Sequence, residues 1–293
     1  MIFPLHEIGN SVKKLETLGK AAPMRAKTSR AIWLAGGLSS AYLALCAVGR
    51  LGYRGLLYPA PPIDDATPPP GAQIVELRAE DGVRVHAMRL ANRAAKRTVV
   101  YFHGNGEVMG DNIGMAKRLA ACGLAVTLVE YRGYGRSRGV GAPNERGLYA
   151  DASAVLDDLS ASGVDAANIV LWGMSLGTGV AVEMARRGRG AALVLVAPFT
   201  SIPDAAARIA PILPVRWLIG DRFDNLAKAP GLDIPTVVVH GTADEVTPFA
   251  MGLRLAAAIK GSHFERVEGA HHTDCFENND ELLERVCARI GAS

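Results

Sequence analysis

An apolar run, Asn168-Ile-Val-Leu-Trp-Gly173, leads without a break into Gly173-Met-Ser-Leu-Gly177, and a helical pattern continues to Arg187. A buried strand, a serine between two glycines and a helix leave the chain few options. The serine must sit on a tight turn where neighbouring backbones approach closely. Gly173 and Gly177 leave space where a Cβ would collide. The turn lifts the Ser175 hydroxyl above the sheet, beside the unpaired N–H groups and positive dipole end of the following helix. A five-residue G-x-S-x-G match is common by chance; the strand before it and the helix after it mark Ser175 as a nucleophile. The alternative is an ordinary helix N-cap serine.

The surrounding chain alternates strands with helices. Residues 73–79 and 83–90 flank Glu80-Asp81-Gly82 and read as a β-hairpin. Thr98-Val-Val-Tyr-Phe102, 125–130, 168–173, 192–197, 234–240 and 263–267 are further strands. Helical apolar spacing covers 112–122, 145–160 and roughly 280–291. This order predicts a mostly parallel sheet covered by helices on both faces, with its chemistry at the C-terminal ends of the strands. With the serine turn it is the pattern of the α/β-hydrolase fold. Residues 202–228 form a short cap-like insertion; its apolar side either lines an acyl pocket, touches a membrane or simply covers the sheet.

Acyl transfer needs donors aimed at the oxygen that becomes negative. The backbone N–H of Leu176, directly after the nucleophile, supplies one. The N–H of Asn105, in His103-Gly-Asn-Gly106 after the 98–102 strand, supplies the other. His103 reads as a loop-holding residue rather than a catalytic one, and Met174 as packing within the turn. Asp244 follows the strand ending at His240 and is the candidate acid, against a plain Asx-turn role; Glu245 is the backup. The base must lie further on. His263 opens the last strand, at the wrong end of the sheet. His271 and His272 follow that strand and remain tied on residue chemistry alone.

Several separated segments resemble the bud-emergence-suppressor-like branch of serine α/β-hydrolases, which includes protein depalmitoylases. They are Leu56-Leu-Tyr-Pro59, His103-Gly-Asn-Gly106, Tyr131-Arg-Gly-Tyr-Gly-Arg-Ser137, Gly173-Met-Ser-Leu-Gly177, Ala197-Pro-Phe-Thr-Ser201, His240-Gly-Thr-Ala-Asp244 and Gly269-Ala-His-His-Thr-Asp274. The resemblance implies that the catalytic histidine is His272, because the family's Gly-His-Asn-Asp falls on His271-His272-Thr273-Asp274. His271 and Thr273 depart from that pattern, and Glu130 stands where Asp is usual. The branch contains ester, thioester and lipid hydrolases. Members acting on palmitoylated proteins work in the cytosol.

Residues 31–49 carry no charge over a length close to a bilayer's hydrocarbon core. Arg30 and Arg50 bracket them; Trp33, and Tyr53 and Tyr58 beyond the far end, suit headgroup regions. Lys20, Arg25, Lys27 and Arg30 outnumber Arg50 and Arg54, which predicts a cytoplasmic N-terminus and a catalytic domain on the non-cytoplasmic side, facing the periplasm if bacterial. An alternative start at Met24, with cleavage after the apolar run, would make the segment a signal peptide and the enzyme secreted. The expected organisation is a basic segment 1–30, an anchor 31–49, a linker 50–71 and a hydrolase domain 72–293. A net charge of +3 with interspersed acids and bases shows no nucleic-acid footprint. Cys46, Cys122, Cys275 and Cys287 have no metal spacing, and Cys275 and Cys287 read as independent thiols rather than a pair.

The reading is a membrane-anchored carboxylic-ester hydrolase using Ser175, His272 and Asp244 on a hydrophobic or lipid-like acyl substrate, with no cofactor or metal required. Thioesterase, peptidase or amidase activity are alternatives within the fold; a catalytically inactive membrane-tethered scaffold is the non-enzyme alternative.

Overall fold

The computed structural model describes residues 24–60 and 66–291. Lys20, with the rest of the basic segment before Met24, and part of the Pro-rich stretch, 61–65, lie outside the described residues. Two compact units divide between Arg50 and Leu51. In the first, the described residues belong to one helix, α1, Met24–Leu57, whose last turns fall in the second unit. Its stretch Ile32–Leu57 is long and apolar enough to cross a membrane. Side chains along it, Trp33 and Leu38 among them, are exposed.

The second unit is built on an eight-stranded sheet. Its strands are β1 Ala72–Arg78, β2 Arg84–Leu90, β3 Thr98–Phe102, β4 Ala125–Glu130, β5 Ile169–Met174, β6 Ala192–Val196, β7 Thr236–Gly241 and β8 His263–Val267. They lie in the order β1-β2-β4-β3-β5-β6-β7-β8. β2 runs antiparallel to β1 and β4; the pairs from β4 to β8 are parallel. The predicted strands are all present, displaced by at most two residues at an end. The chain turns outward from β3 to β4, then returns to place β5 on β3's other side. That reversal opens a crevice at the carboxyl ends of β3 and β5, where doubly wound sheets bind ligands.

Alternation along the strands builds both faces. Val100, Phe102, Leu171 and Leu195 enter one core with α3, Glu145–Ala161, and α4, Leu176–Arg186. Val99, Tyr101, Trp172 and Val194 enter the other with α2, Ile113–Ala121, and α9, Asp280–Arg289. Near-continuous apolar runs are what a sheet buried on both sides requires. The insertion after β6 contains α5, Ile202–Ile209, α6, Val215–Leu218, and α7, Asn225–Lys228; α8, Phe249–Ala258, follows β7. The two halves of the insertion behave differently. Phe223 joins the core of the sheet, whereas Val215 and Ile219 form a separate small cluster with Tyr53.

The linker expected from residue 50 is helical as far as Leu57, and Tyr53 and Tyr58 are buried rather than set in a headgroup layer. For Tyr53 the cause is a polar partner inside the fold; Tyr58 packs into the apolar core. Tyr53 donates its hydroxyl hydrogen to Asp221 at 3.1 Å and accepts from the Asp221 N–H at 3.2 Å. Arg54 donates to the same carboxylate at 2.8 Å. With no proline between Met24 and Pro59, no proline ring breaks the helix earlier. The four cysteines are free. Burial pushes the Cys275 thiol up to about 11, which keeps it protonated and unreactive at neutral pH.

The Tyr131-Arg-Gly-Tyr-Gly loop after β4 is fixed by one buried ion pair. Arg132 donates to Asp151 through its side chain at 2.7 and 2.9 Å and through its backbone N–H at 2.9 Å, and reaches Asp81 in the β1–β2 turn. Removing one member of such a pair leaves an uncompensated buried charge. Asp151→Ala is therefore expected to lower unfolding free energy by about 3 kcal/mol, measured by urea denaturation.

Candidate active site

Ser175 sits at the junction of β5 and α4 with φ 49° and ψ −115°, a conformation L-residues rarely adopt. Packing maintains it. A Cβ on Gly173 would lie 2.6 Å from the Gly177 carbonyl oxygen, and one on Gly177 would collide with the carbonyl of Phe102 in β3. The Ser175 N–H donates to Val196 O at the end of β6, at 3.0 Å. The serine is thus pinned between the ends of three adjacent strands.

The structure brings Ser175, His272 and Asp244 together. Ser175 Oγ and His272 Nε2 are 2.8 Å apart; His272 Nδ1 lies 3.0 and 2.9 Å from the two Asp244 oxygens. All three come from loops at the carboxyl edge of the sheet. His272 is positioned to take a proton from Ser175 while Asp244 holds its Nδ1–H tautomer.

Asp244 is held on several sides. Its Oδ1 accepts from the N–H groups of Val246 and Thr247 at 2.9 and 2.8 Å, the Asx-type geometry that competed with the catalytic reading. The two roles coexist, because one oxygen organises the turn while both remain within reach of His272. The Thr247 hydroxyl approaches Asp244 Oδ2 at 2.9 Å, and buried His240 approaches the same oxygen at 3.2 Å. Burial opposes the carboxylate's charge, but hydrogen bonds from His240, His272 and Thr247 outweigh it and hold the group well below the usual carboxylate range.

His271 points elsewhere. It is exposed, and its Nδ1 meets Glu245 at 3.0 Å. Glu245, the backup acid, therefore partners the histidine that does not reach Ser175. The His271 backbone N–H donates to Asp274 at 2.6 Å, which fixes the loop and turns successive side chains apart.

The two oxyanion candidates lie on different elements. Leu176 opens α4, so its N–H is a helix N-terminal donor. Asn105 lies in the loop after β3, with its side chain reaching Leu57 O at 3.4 Å. Carboxylates brace this loop: Glu107 accepts from the Gly104 N–H at 3.0 Å and Glu130 from the Met109 N–H at 3.3 Å. Buried His103 bonds Gly104 O at 2.7 Å and stacks beside Tyr131, away from the triad contacts. Glu107, Thr247 and His240 were not singled out as site residues from sequence.

Beside the serine turn, on the α2–α9 side, lies a cavity of about 200 Å3 whose walls include Tyr101, Glu107, Trp172, Met174, Thr273 and Phe276. Met174 therefore lines space next to the nucleophile as well as packing the turn. The insertion does not contribute to this wall. Among the described residues, no cluster of three His, Cys, Asp or Glu side chains is arranged to hold a metal ion.

Residues 93–227 match a family described as serine aminopeptidase, S33. An uncharacterized protein of Mycobacterium tuberculosis is 34% identical over 257 residues, covering 83% of this chain and 89% of that one. Human alpha/beta hydrolase domain-containing protein 17B is 33% identical over 224 residues, covering 71% and 72%. The chain belongs to the serine α/β-hydrolase superfamily. Among solved structures, a Pyrococcus furiosus esterase superposes with a TM-score of 0.66 at 18% identity, covering 79% of this chain and 98% of that one. An enol-lactonase from Burkholderia xenovorans gives 0.58 at 17%, covering 75% and 100%. These likenesses extend over the hydrolase fold.

The environment of His271 has a measurable signature. Its hydrogen bond to Glu245 raises its pKa above the ordinary 6.5. A raised folded-state value contributes stability present at low pH that is lost as pH rises through that value. NMR titration is expected to find His271 above 6.5, and Glu245→Gln to bring it down.

Proposed function

We propose that this protein is a membrane-anchored carboxylic-ester hydrolase acting through Ser175, His272 and Asp244. The observation that carries the reading is the continuous contact from Ser175 Oγ to His272 Nε2 at 2.8 Å and from His272 Nδ1 to Asp244 at 2.9 Å. Ser175 attacks the acyl carbonyl as His272 takes its proton. The backbone N–H groups of Leu176 and Asn105 stabilise the oxyanion. His272, held by Asp244, returns the proton to the leaving alcohol, then activates the water that releases the acid. The separated motifs from Leu56 to Asp274 favour the bud-emergence-suppressor-like branch, and an apolar anchor favours hydrophobic or lipid-like acyl groups. The description of the matching family, serine aminopeptidase, supports amide cleavage as a second reading. Parallel assays on an ester, a thioester and an anilide of one acyl group rank the three.

A fluorophosphonate probe is expected to add once to the wild-type protein and not to Ser175→Ala, read by intact mass spectrometry. His272→Ala should lower kcat roughly 10⁴-fold, as loss of a triad member does, while His271→Ala keeps near-wild-type turnover. An adduct on another serine would overturn the mechanism and leave room for a non-catalytic scaffold. The opposite histidine ranking would displace the assigned base.

The anchor reading rests on Ile32–Leu57 and on the basic residues that precede it. It places the catalytic unit on the non-cytoplasmic side. Carbonate-washed membranes are expected to retain the protein, and protease is expected to remove a C-terminal tag from intact spheroplasts of a bacterial host. A soluble form beginning after the apolar run would mean cleavage and secretion; a tag cut only after lysis would reverse the topology.

A further inference from the structure

Ile209, Ile212 and Trp217, in the first half of the insertion, are 83%, 73% and 88% exposed. Single exposed apolar side chains are ordinary, but three within one short stretch form an exposed apolar patch. The same stretch buries its other side: Val215 and Ile219 pack against Tyr53, with Leu57 and Ile202 beside them. Helices α5 and α6 are thus two-faced, with one face in the fold and one left open.

Three features identify the occupant as lipid. The first is residue type: tryptophan and branched aliphatics beside arginines suit the boundary between headgroups and acyl chains. The second is charge: Arg208, Arg216 and Arg222 are exposed around the patch, and although Arg216 pairs with Asp204 and Arg222 with Asp224, Arg208 and Lys228 leave the insertion with one more base than acid, which favours anionic headgroups. The third is the chain itself. The apolar helix reaches Leu57, and its end is fastened to this half of the insertion by Tyr53 and Arg54 on Asp221. The insertion also leaves the sheet from the end of β6, whose Val196 carbonyl accepts the Ser175 N–H. The Asn105 side chain donates to Leu57 O at 3.4 Å, so the helix end that holds this half of the insertion also meets the loop beside Ser175.

We propose that Ile209, Ile212 and Trp217 insert into the interfacial layer of an anionic phospholipid bilayer, the same bilayer crossed by α1. The proposal rests on the anchor reading. It makes the bilayer a docking surface for the catalytic edge, so esters dissolved in the membrane are presented to Ser175.

Tryptophan quenching tests it on the full-length protein. The chain has three tryptophans: Trp33 in α1, Trp172 buried in the sheet, and Trp217. Wild type, Trp33→Phe and Trp217→Phe are reconstituted into phosphatidylcholine–phosphatidylglycerol vesicles containing lipid brominated near the headgroup end of its acyl chains. Fluorophosphonate labelling verifies folding of each. Trp33→Phe is expected to retain a quenched component that disappears on further Trp217→Phe or Ile209→Asn/Ile212→Asn substitution, and that weakens in vesicles of phosphatidylcholine alone. Trp33→Phe without quenching, alongside a quenched Trp33 signal in wild type, overturns the docking surface and leaves the anchor standing. Loss of both signals means that the anchor reading has failed as well. A Trp217 shielded from aqueous iodide yet untouched by brominated lipid assigns the face to a protein contact and also overturns the proposal.

Discussion

The strained backbone of Ser175 depends on one close approach: the carbonyl of Phe102 against the α-carbon of Gly177. β3 and β5 pair in parallel with Phe102 opposite Gly173, so the loop after β3 and the turn after β5 emerge side by side. Any side chain at 177 would force them apart. The positive φ of Ser175 then follows from having to leave a strand and enter a helix within one residue. Such conformations cost of order 1–3 kcal/mol and persist where surroundings over-determine them. Here the surroundings are Val196 at the end of β6, the two glycines and the first turn of α4.

Polar groups around the serine are ordered by redundancy. Asp244 has Val246, Thr247, His240 and His272 around its two oxygens. The loop after β3 relies on Glu107 and Glu130, each accepting a backbone N–H. Glu130 lies in the space a side chain at position 135 would need, and Gly135 has φ 36°. A longer carboxylate than the aspartate usual in the resembling branch is thus accommodated by the glycine of the following loop. Its reach is what lets it touch both His103, at 3.5 Å, and the Met109 N–H.

Much of this was legible in the chain because local pattern and global fold agree. Runs such as Val99–Phe102 and Ile169–Trp172 are apolar at consecutive positions, which only a strand buried on both faces tolerates. The serine turn announces itself through glycine, whose absence of a Cβ is a steric requirement. Contacts between remote side chains leave no comparable trace. Nothing local distinguishes Thr247 from any other turn threonine, and Tyr53 reads as an interfacial aromatic until Asp221, distant in sequence, supplies its partner. His271 and His272 could not be separated by residue chemistry, since the difference between them is direction. One is turned to Glu245 in solvent and the other to Asp244 under the loop.

The burial of Tyr53 moves the start of the hydrolase unit. Leu51–Leu57 belong to it, and two donors, Tyr53 and Arg54, converge on a carboxylate that is itself 5% exposed. Asp221 also accepts from the Glu145 N–H at 3.2 Å, at the start of α3. One carboxylate therefore joins the end of α1, the insertion and the helix that covers the sheet. A side chain buried with three such partners is costly to disrupt, because each partner lost leaves a charge or donor unpaired. What these contacts tie down is the point where the apolar helix ends, and there Leu57 O also accepts from the Asn105 side chain in the loop beside Ser175.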